Sequence, residues 1–261
     1  MEGIVVSATR LTNLQADSID GVIESLSRII EWCKENDHRA GYFPALYRKV
    51  TVRIRDGIEA GEFEDAERME RFDVIFANRY LEAFEQWQGG VQPIKVWQQA
   101  FDLSERWPPI VLQHLVIGMN AHISFDLGIS AAETVPKGDL PELKNDFDKI
   151  NKVLASMVDE VQIELAQIWP LFRVMDLLAG RLDEKLAGCS LEAARKEAWD
   201  WAQEYSNTAG EQRQRAVEEM DNKIFKRGKE VASPRLLLRI TCLLIRVGEL
   251  QSVRRVIEIL R

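Results

Sequence analysis

Histidine and cysteine are scarce in this sequence, with three of each in 261 residues. Cys33, Cys189 and Cys242 lie far apart and form no Cys-x-x-Cys. That excludes a thiolate zinc knuckle and a disulfide framework, and it suits a reducing cytoplasm, where the protein is expected to reside. The formal net charge is −8 and no block of Lys and Arg stands out, so the electrostatic footprint of a nucleic-acid binder is missing. The opening residues, Met-Glu-Gly-Ile-Val-Val, lack the basic-then-apolar order of a signal peptide. No apolar run is read as reaching the roughly 18 residues of a membrane span. A Gly-rich phosphate loop, a dinucleotide fingerprint, a Gly-x-Ser-x-Gly elbow and an Asp-Asp-x-x-Asp motif are also absent, as is any repeat of fixed period.

What is present is helical spacing on a composition that can bury a core, 46% hydrophobic and 29% charged. Residues 18–35 place Ile19, Val22, Ile23, Leu26, Ile29, Ile30 and Cys33 on one stripe. Pro44 opens a second helix that ends at Gly61, and Glu64 to Trp87 forms a third. Shorter patterns follow at Pro93–Arg106 and, the most apolar of all, at Ile110–Ala132. A long helix from about Glu142 is expected to end or kink at Trp169-Pro170 and to continue to Gly188. Ser190 is read as the cap of the next, and Pro234 starts one of the last two or three. The expectation is an all-α fold, a single-domain multi-helix bundle of about ten helices over residues 1–261. The loop at 136–141 is the one candidate division, but it is short and both sides carry apolar stripes to bury. The seven tryptophans are assigned to packing.

Chemistry concentrates in residues 113–128, where His114, Gly118, His122 and Asp126 recur every four residues on a dense apolar background. Each step of four drifts only about 40° on an α-helix, so the four line one slowly turning face. His122 and Asp126 are helical neighbours, about 6 Å apart at Cβ. Gly118 removes a side chain and admits a close approach. Such a pair supplies two ligands to a metal, or makes a general base of His122 with Asp126 fixing its tautomer, or forms a satisfied structural contact. Acidic residues number 42, so an acid one turn from a histidine arises readily by chance, and the pair alone does not choose. Two clusters are candidates to join it. Asp37-His38-Arg39 lies in a break ahead of Tyr42 and Phe43, where it is a solvated turn or a pocket histidine. Asp73 stands among the apolar residues Phe72, Val74, Phe76 and Tyr80, with Arg79 nearby, and a carboxylate there is either ion-paired with an arginine or functional.

The segment His-Leu-Val-Ile-Gly-Met-Asn-Ala-His-Ile-Ser-Phe-Asp-Leu, the His-Arg at 38–39 leading to Tyr47, and Phe-Ala-Asn-Arg-Tyr-Leu-Glu-Ala at 76–83 resemble an uncharacterised bacterial all-helical family, a domain of unknown function. The likeness covers roughly residues 36–132. It implies that His38, Asp73, Tyr80, Asn120, His122 and Asp126 are the positions to watch, and it supplies no reaction. A more distant likeness, to zinc-dependent phospholipase C, is carried only by the His-x-x-x-Asp of His122 and Asp126. Three histidines cannot build that family's metal cluster, and the paired Glu-x-x-His motifs of a ferritin-like di-iron site are absent, since Val111 and Met119 stand three residues before the helical histidines.

The sequence therefore points to a small-molecule enzyme, a hydrolase or lyase, with a pocket in the bundle. His122, Asp126, Asn120 and Tyr80 would be catalytic. His38, Asp73, His122 and Asp126 would hold one divalent ion (Zn, Fe or Mn) if a metal takes part. The alternative is a non-catalytic binding or interaction protein whose His/Asp face is a buried hydrogen-bond network. The Arg-rich Leu236–Leu260 segment is read as an amphipathic helix of the same bundle.

Overall fold

Helical spacing in the sequence becomes eleven α-helices among the residues described by the structure, a computed structural model, which are 10–168, 191–249 and 251–261. Among the described residues there is no strand. Helix α1 (Ile19–Glu35) begins where Ser18 accepts the Gly21 N–H at 3.2 Å, and it buries the expected stripe. A short 3₁₀ turn, Arg39–Gly41, leads into α2 (Tyr42–Glu59), with Pro44 in the first turn, where its missing N–H costs nothing. Asp65 caps α3 (Ala66–Gln88), and α4 (Lys95–Ser104) comes next.

The most apolar stretch is not one regular helix. It runs as α5 (Val111–Ala121), a π turn (His122–Asp126) and α6 (Leu127–Thr134). Then come α7 (Leu140–Ile168), α8 (Leu191–Ser206), α9 (Gly210–Ala232), α10 (Leu236–Gly248) and α11 (Val253–Leu260). The kink expected at Trp169-Pro170, the continuation to Gly188, Cys189 and the Ser190 cap lie outside the described residues.

The α5–π–α6 rod runs through the middle of the bundle. Helix α5 packs against α2, α4 and α9, while α6 packs against α3 and α8. Helices from both sides of the 136–141 loop therefore interlock. At the end of the chain, α11 lays Val256, Ile257 and Leu260 onto α1 and α2.

One sequence expectation needs correction here. The helical run Val111–Thr134, 24 residues, contains an 18-residue window of mean hydropathy 1.3 and is long and apolar enough to cross a membrane. Its apolarity has another cause, because 72% of that stretch is buried inside the bundle, where every face needs apolar side chains.

Two glycines make the rod fit. A Cβ at Gly118 would lie 2.6 Å from the Phe43 ring, and one at Gly128 would lie 2.5 Å from the Ala198 carbonyl oxygen. The close approach that Gly118 was expected to allow is made by an aromatic ring of α2. The contacts are with Phe43 Cδ2, Cγ and Cβ, the last two at the root of the side chain, and its ring is packed against Tyr47, Tyr80 and Trp97, although alanine is the better helix former. Gly118→Ala should therefore cost about 2 kcal/mol in denaturant unfolding, within the range for overpacking. A loss well below that would mean Phe43 gives way.

Candidate functional site

The π turn carries the two residues singled out by spacing. Its wider winding is closed by the Leu127 N–H, which donates to the His122 carbonyl. Single π turns inside α-helices concentrate at functional positions. The extra residue rotates the helix beyond it, yet His122 and Asp126 stay in contact across the turn. His114 lies against Tyr42, with ring centroids 5.5 Å apart. His122 enters a different neighbourhood.

That neighbourhood is an aromatic cage built from three helices. Phe76 of α3 stacks on the His122 ring at 3.6 Å and 8°. Tyr47 of α2 meets it edge-on at 4.5 Å, and Phe43, Tyr80 and Trp97 complete the enclosure at 5.7, 6.4 and 5.9 Å. These rings are the stripe residues of α2, α3 and α4, so one pattern serves both core and cage.

Asp126, 1% exposed, organises the polar side. Its Oδ1 accepts from Arg79 Nε at 2.9 Å. Its Oδ2 accepts from Trp97 Nε1 at 2.8 Å and meets His122 Nδ1 at 3.3 Å. An acceptor at Nδ1 places the imidazole proton there and leaves Nε2 with its lone pair. Burial is the main influence on His122. It pushes the ring below the ordinary histidine range, with Arg79 adding to the effect and Asp126 opposing it. The ring is thus neutral at pH 7.

Nε2 of His122 is buried and without a hydrogen-bond partner among the described residues. The same holds for Asp73 Oδ2, the Tyr80 hydroxyl and the Tyr47 hydroxyl, for which Thr51 offers only a weak contact. Buried polar atoms of a folded protein are nearly always satisfied, so these four have hydrogen-bonding capacity left for a water or a ligand. Burial raises both phenols well above their ordinary range, and Asp73 contributes at Tyr47, so both remain O–H donors.

Asp73 is the second distinctive group. Burial, and then Glu70, push its carboxyl up to about 7. The arginine expected beside it, Arg79, goes to Asp126 instead, and among the described residues Asp73 has no ion pair. Folded Asp73 therefore keeps its proton between the ordinary aspartate value and about pH 7, where the unfolded chain has lost it. Its contribution to stability is complete below that window and is lost as pH rises through it. His114 runs the other way. Burial, Arg39 and Arg246 push it down to about 3, so its contribution is present above the ordinary histidine value and is lost as pH falls toward 3. Asp73→Asn should remove the decline in unfolding free energy between about pH 4 and pH 7, read from denaturant midpoints across that range. An unchanged slope would place the titration elsewhere.

The other sequence candidates sit apart. His38 caps the 3₁₀ turn through Nδ1, which accepts the Ala40 N–H at 3.1 Å, and its Nε2 meets Glu105 at 3.1 Å. Its ring lies against Trp32 and Trp87, away from the cage. Asn120 donates to the Ile224 carbonyl at 3.2 Å and so ties α5 to α9. Among the described residues no three His, Cys, Asp or Glu side chains gather to hold an ion. Asp126 spends both oxygens on protein donors, one of them a guanidinium that competes with any cation. The set His38, Asp73, His122 and Asp126 is thus not a ligand set among the described residues.

Sequence reasoning assigned Trp97 to packing and did not place Tyr47 or Phe76 beside the histidine. A buried indole N–H needs an acceptor, and that was the available signal for Trp97. Compared with known proteins, residues 19–234 match a family described as a family of unknown function, DUF5995. No curated protein and no solved structure matches the chain.

Proposed function

The chain belongs to that family of unknown function, and we propose from its buried site that it is a small-molecule enzyme working by general acid–base chemistry, of the hydrolase or lyase type. The observation behind this reading is that two buried groups neighbouring Tyr47 are driven in opposite directions. His122 is kept neutral with Nε2 bare, while Asp73 is kept protonated near neutral pH. Two titratable groups separated in this way by their environments form a recurring acid–base arrangement. His122 Nε2 takes a proton from the substrate or from water. Asp126, fixed by Arg79 and Trp97, holds the tautomer and stabilises the imidazolium that forms. Asp73 returns a proton to the leaving group, and the phenols of Tyr80 and Tyr47 donate to the substrate. No metal takes part in this reading, because among the described residues no three His, Cys, Asp or Glu side chains gather to hold one.

The second reading, a non-catalytic protein with a buried polar network, is favoured by the 2% exposure of His122. To separate the two, the purified protein is incubated with a complex small-molecule extract and the mixture is followed by mass spectrometry beside His122→Gln and Asp73→Asn. The enzyme reading expects at least one compound to be consumed by the wild type and spared about 10²-fold or more by His122→Gln. Identical profiles from wild type and His122→Gln, with both folded, would leave the network reading.

A further inference from the structure

Beside the cage lies a cavity of about 20 Å³, lined by Arg39, Phe43, Tyr80, Trp97, His114 and Gly118 among others. It shares three walls with the cage, since Phe43, Tyr80 and Trp97 also surround His122. Two polar side chains at this cavity have buried atoms without partners, Arg39 Nε and His114 Nε2, and His114 is only 6% exposed. Among the described residues Arg39 has no carboxylate partner. Among the described residues its one side-chain hydrogen bond is a long contact of 3.5 Å to the Ser104 carbonyl. His114 interacts with the backbone of Pro109, which offers only a carbonyl, so the imidazole proton sits on Nδ1 and Nε2 is an acceptor. The cavity therefore presents a cationic planar donor, a neutral acceptor and an apolar aromatic wall.

We propose that this cavity is the substrate's anchoring subsite and takes the head group of a small hydroxy acid. The carboxylate would sit on Arg39 and the neighbouring hydroxyl would donate to His114 Nε2. A guanidinium recognises a carboxylate through paired N–H groups and is stable half-buried only with such a partner or with solvent. A simple anion would leave the His114 lone pair unmet, and a neutral alcohol would leave Arg39 unmet. The present volume holds about one water, so the acid enters as the half-buried Arg39 and Phe43 side chains move outward. From there the rest of the ligand passes Tyr80 and Trp97 toward His122. The inference rests on the acid–base reading of the cage, but it fails or succeeds on different residues.

Glycolate is the probe, because it carries one carboxylate and one adjacent hydroxyl. Its binding is followed by ligand-observed NMR and by the ¹⁵N shift of His114, beside acetate, which lacks the hydroxyl. The expectation is saturable glycolate binding that moves the His114 Nε2 signal, with acetate about tenfold weaker. Arg39→Gln should weaken both acids at least tenfold. Arg39→Lys, which keeps the charge but not the planar fork, should recover only part of the loss. His122→Gln should leave glycolate binding intact. If glycolate fails to saturate, or binds Arg39→Gln as it binds the wild type, the subsite is overturned and the cavity holds a water. His122-dependent conversion in the extract experiment would survive that result. Glycolate binding without any His122-dependent conversion would instead remove the acid–base reading alone.

Discussion

Asp126→Ala is expected to lower the unfolding free energy by about 4 kcal/mol, a fall in Tm of about 10 °C for a chain of this size. The carboxylate is 1% exposed and serves Arg79, Trp97 and His122 together. Its removal leaves the Trp97 N–H buried without an acceptor, which costs about 1–3 kcal/mol. It also leaves the Arg79 guanidinium without its counter-charge. The Arg79 side chain is 26% exposed, so water recovers part of that loss, which places this contribution near the lower end of about 3–5 kcal/mol for broken buried pairs. Asp126→Asn separates the two effects, because the amide oxygen still accepts from Trp97 while the charge is gone. Its loss should be about half as large. If Asp126→Ala costs less than about 1 kcal/mol in urea unfolding, the network behaves as a surface contact, and the account of a rigidly held histidine fails.

Gly128→Ala is expected to cost about 3 kcal/mol, although alanine is the better helix former by about 1 kcal/mol. The added methyl would stand 2.5 Å from the Ala198 carbonyl oxygen and 2.5 Å from Trp201 Cδ1. The first is backbone of α8 and the second belongs to an indole 2% exposed, so neither can give way. Helix α8 would be pushed off α6, and the π turn immediately before Gly128 would feel the shift. Tryptophan fluorescence with urea unfolding checks this. A stability within about 0.5 kcal/mol of the wild type would show that α6 and α8 are not in the close contact described.

The helices were legible because their signals are local. Pro44 fits only a first turn, and the stripe from Ile19 to Cys33 has one period, whereas the Ser18 cap was not read from the sequence. The family resemblance was legible as well, since the match over residues 19–234 contains all the quoted segments. The π turn was not legible. A run of apolar residues reads alike in either winding, and the choice is made by Phe76 on one side and α8 on the other. Partner choice was hidden for the same reason. Arg79 lies six residues from Asp73 and 47 from Asp126, and only the packing of α3 on the rod decides that it turns to the latter. Asp73 was flagged correctly as a carboxylate in apolar company, but the arginine expected for it is absent among the described residues. His38 shows the limit of composition. Scarcity drew attention to it, yet the backbone ahead of α2 uses it as a cap.

The central claim is that His122 is a neutral base whose proton is held on Nδ1 by Asp126 while Nε2 stays bare. ¹⁵N NMR of the three histidines, assigned with His122→Gln, tests it directly. At pH 7 the account predicts a His122 signal pair with a protonated Nδ1 and an unprotonated Nε2, resisting protonation until below the ordinary histidine range and collapsing to mixed tautomers in Asp126→Ala. A His122 that is cationic at pH 7, or that carries its proton on Nε2, would contradict it.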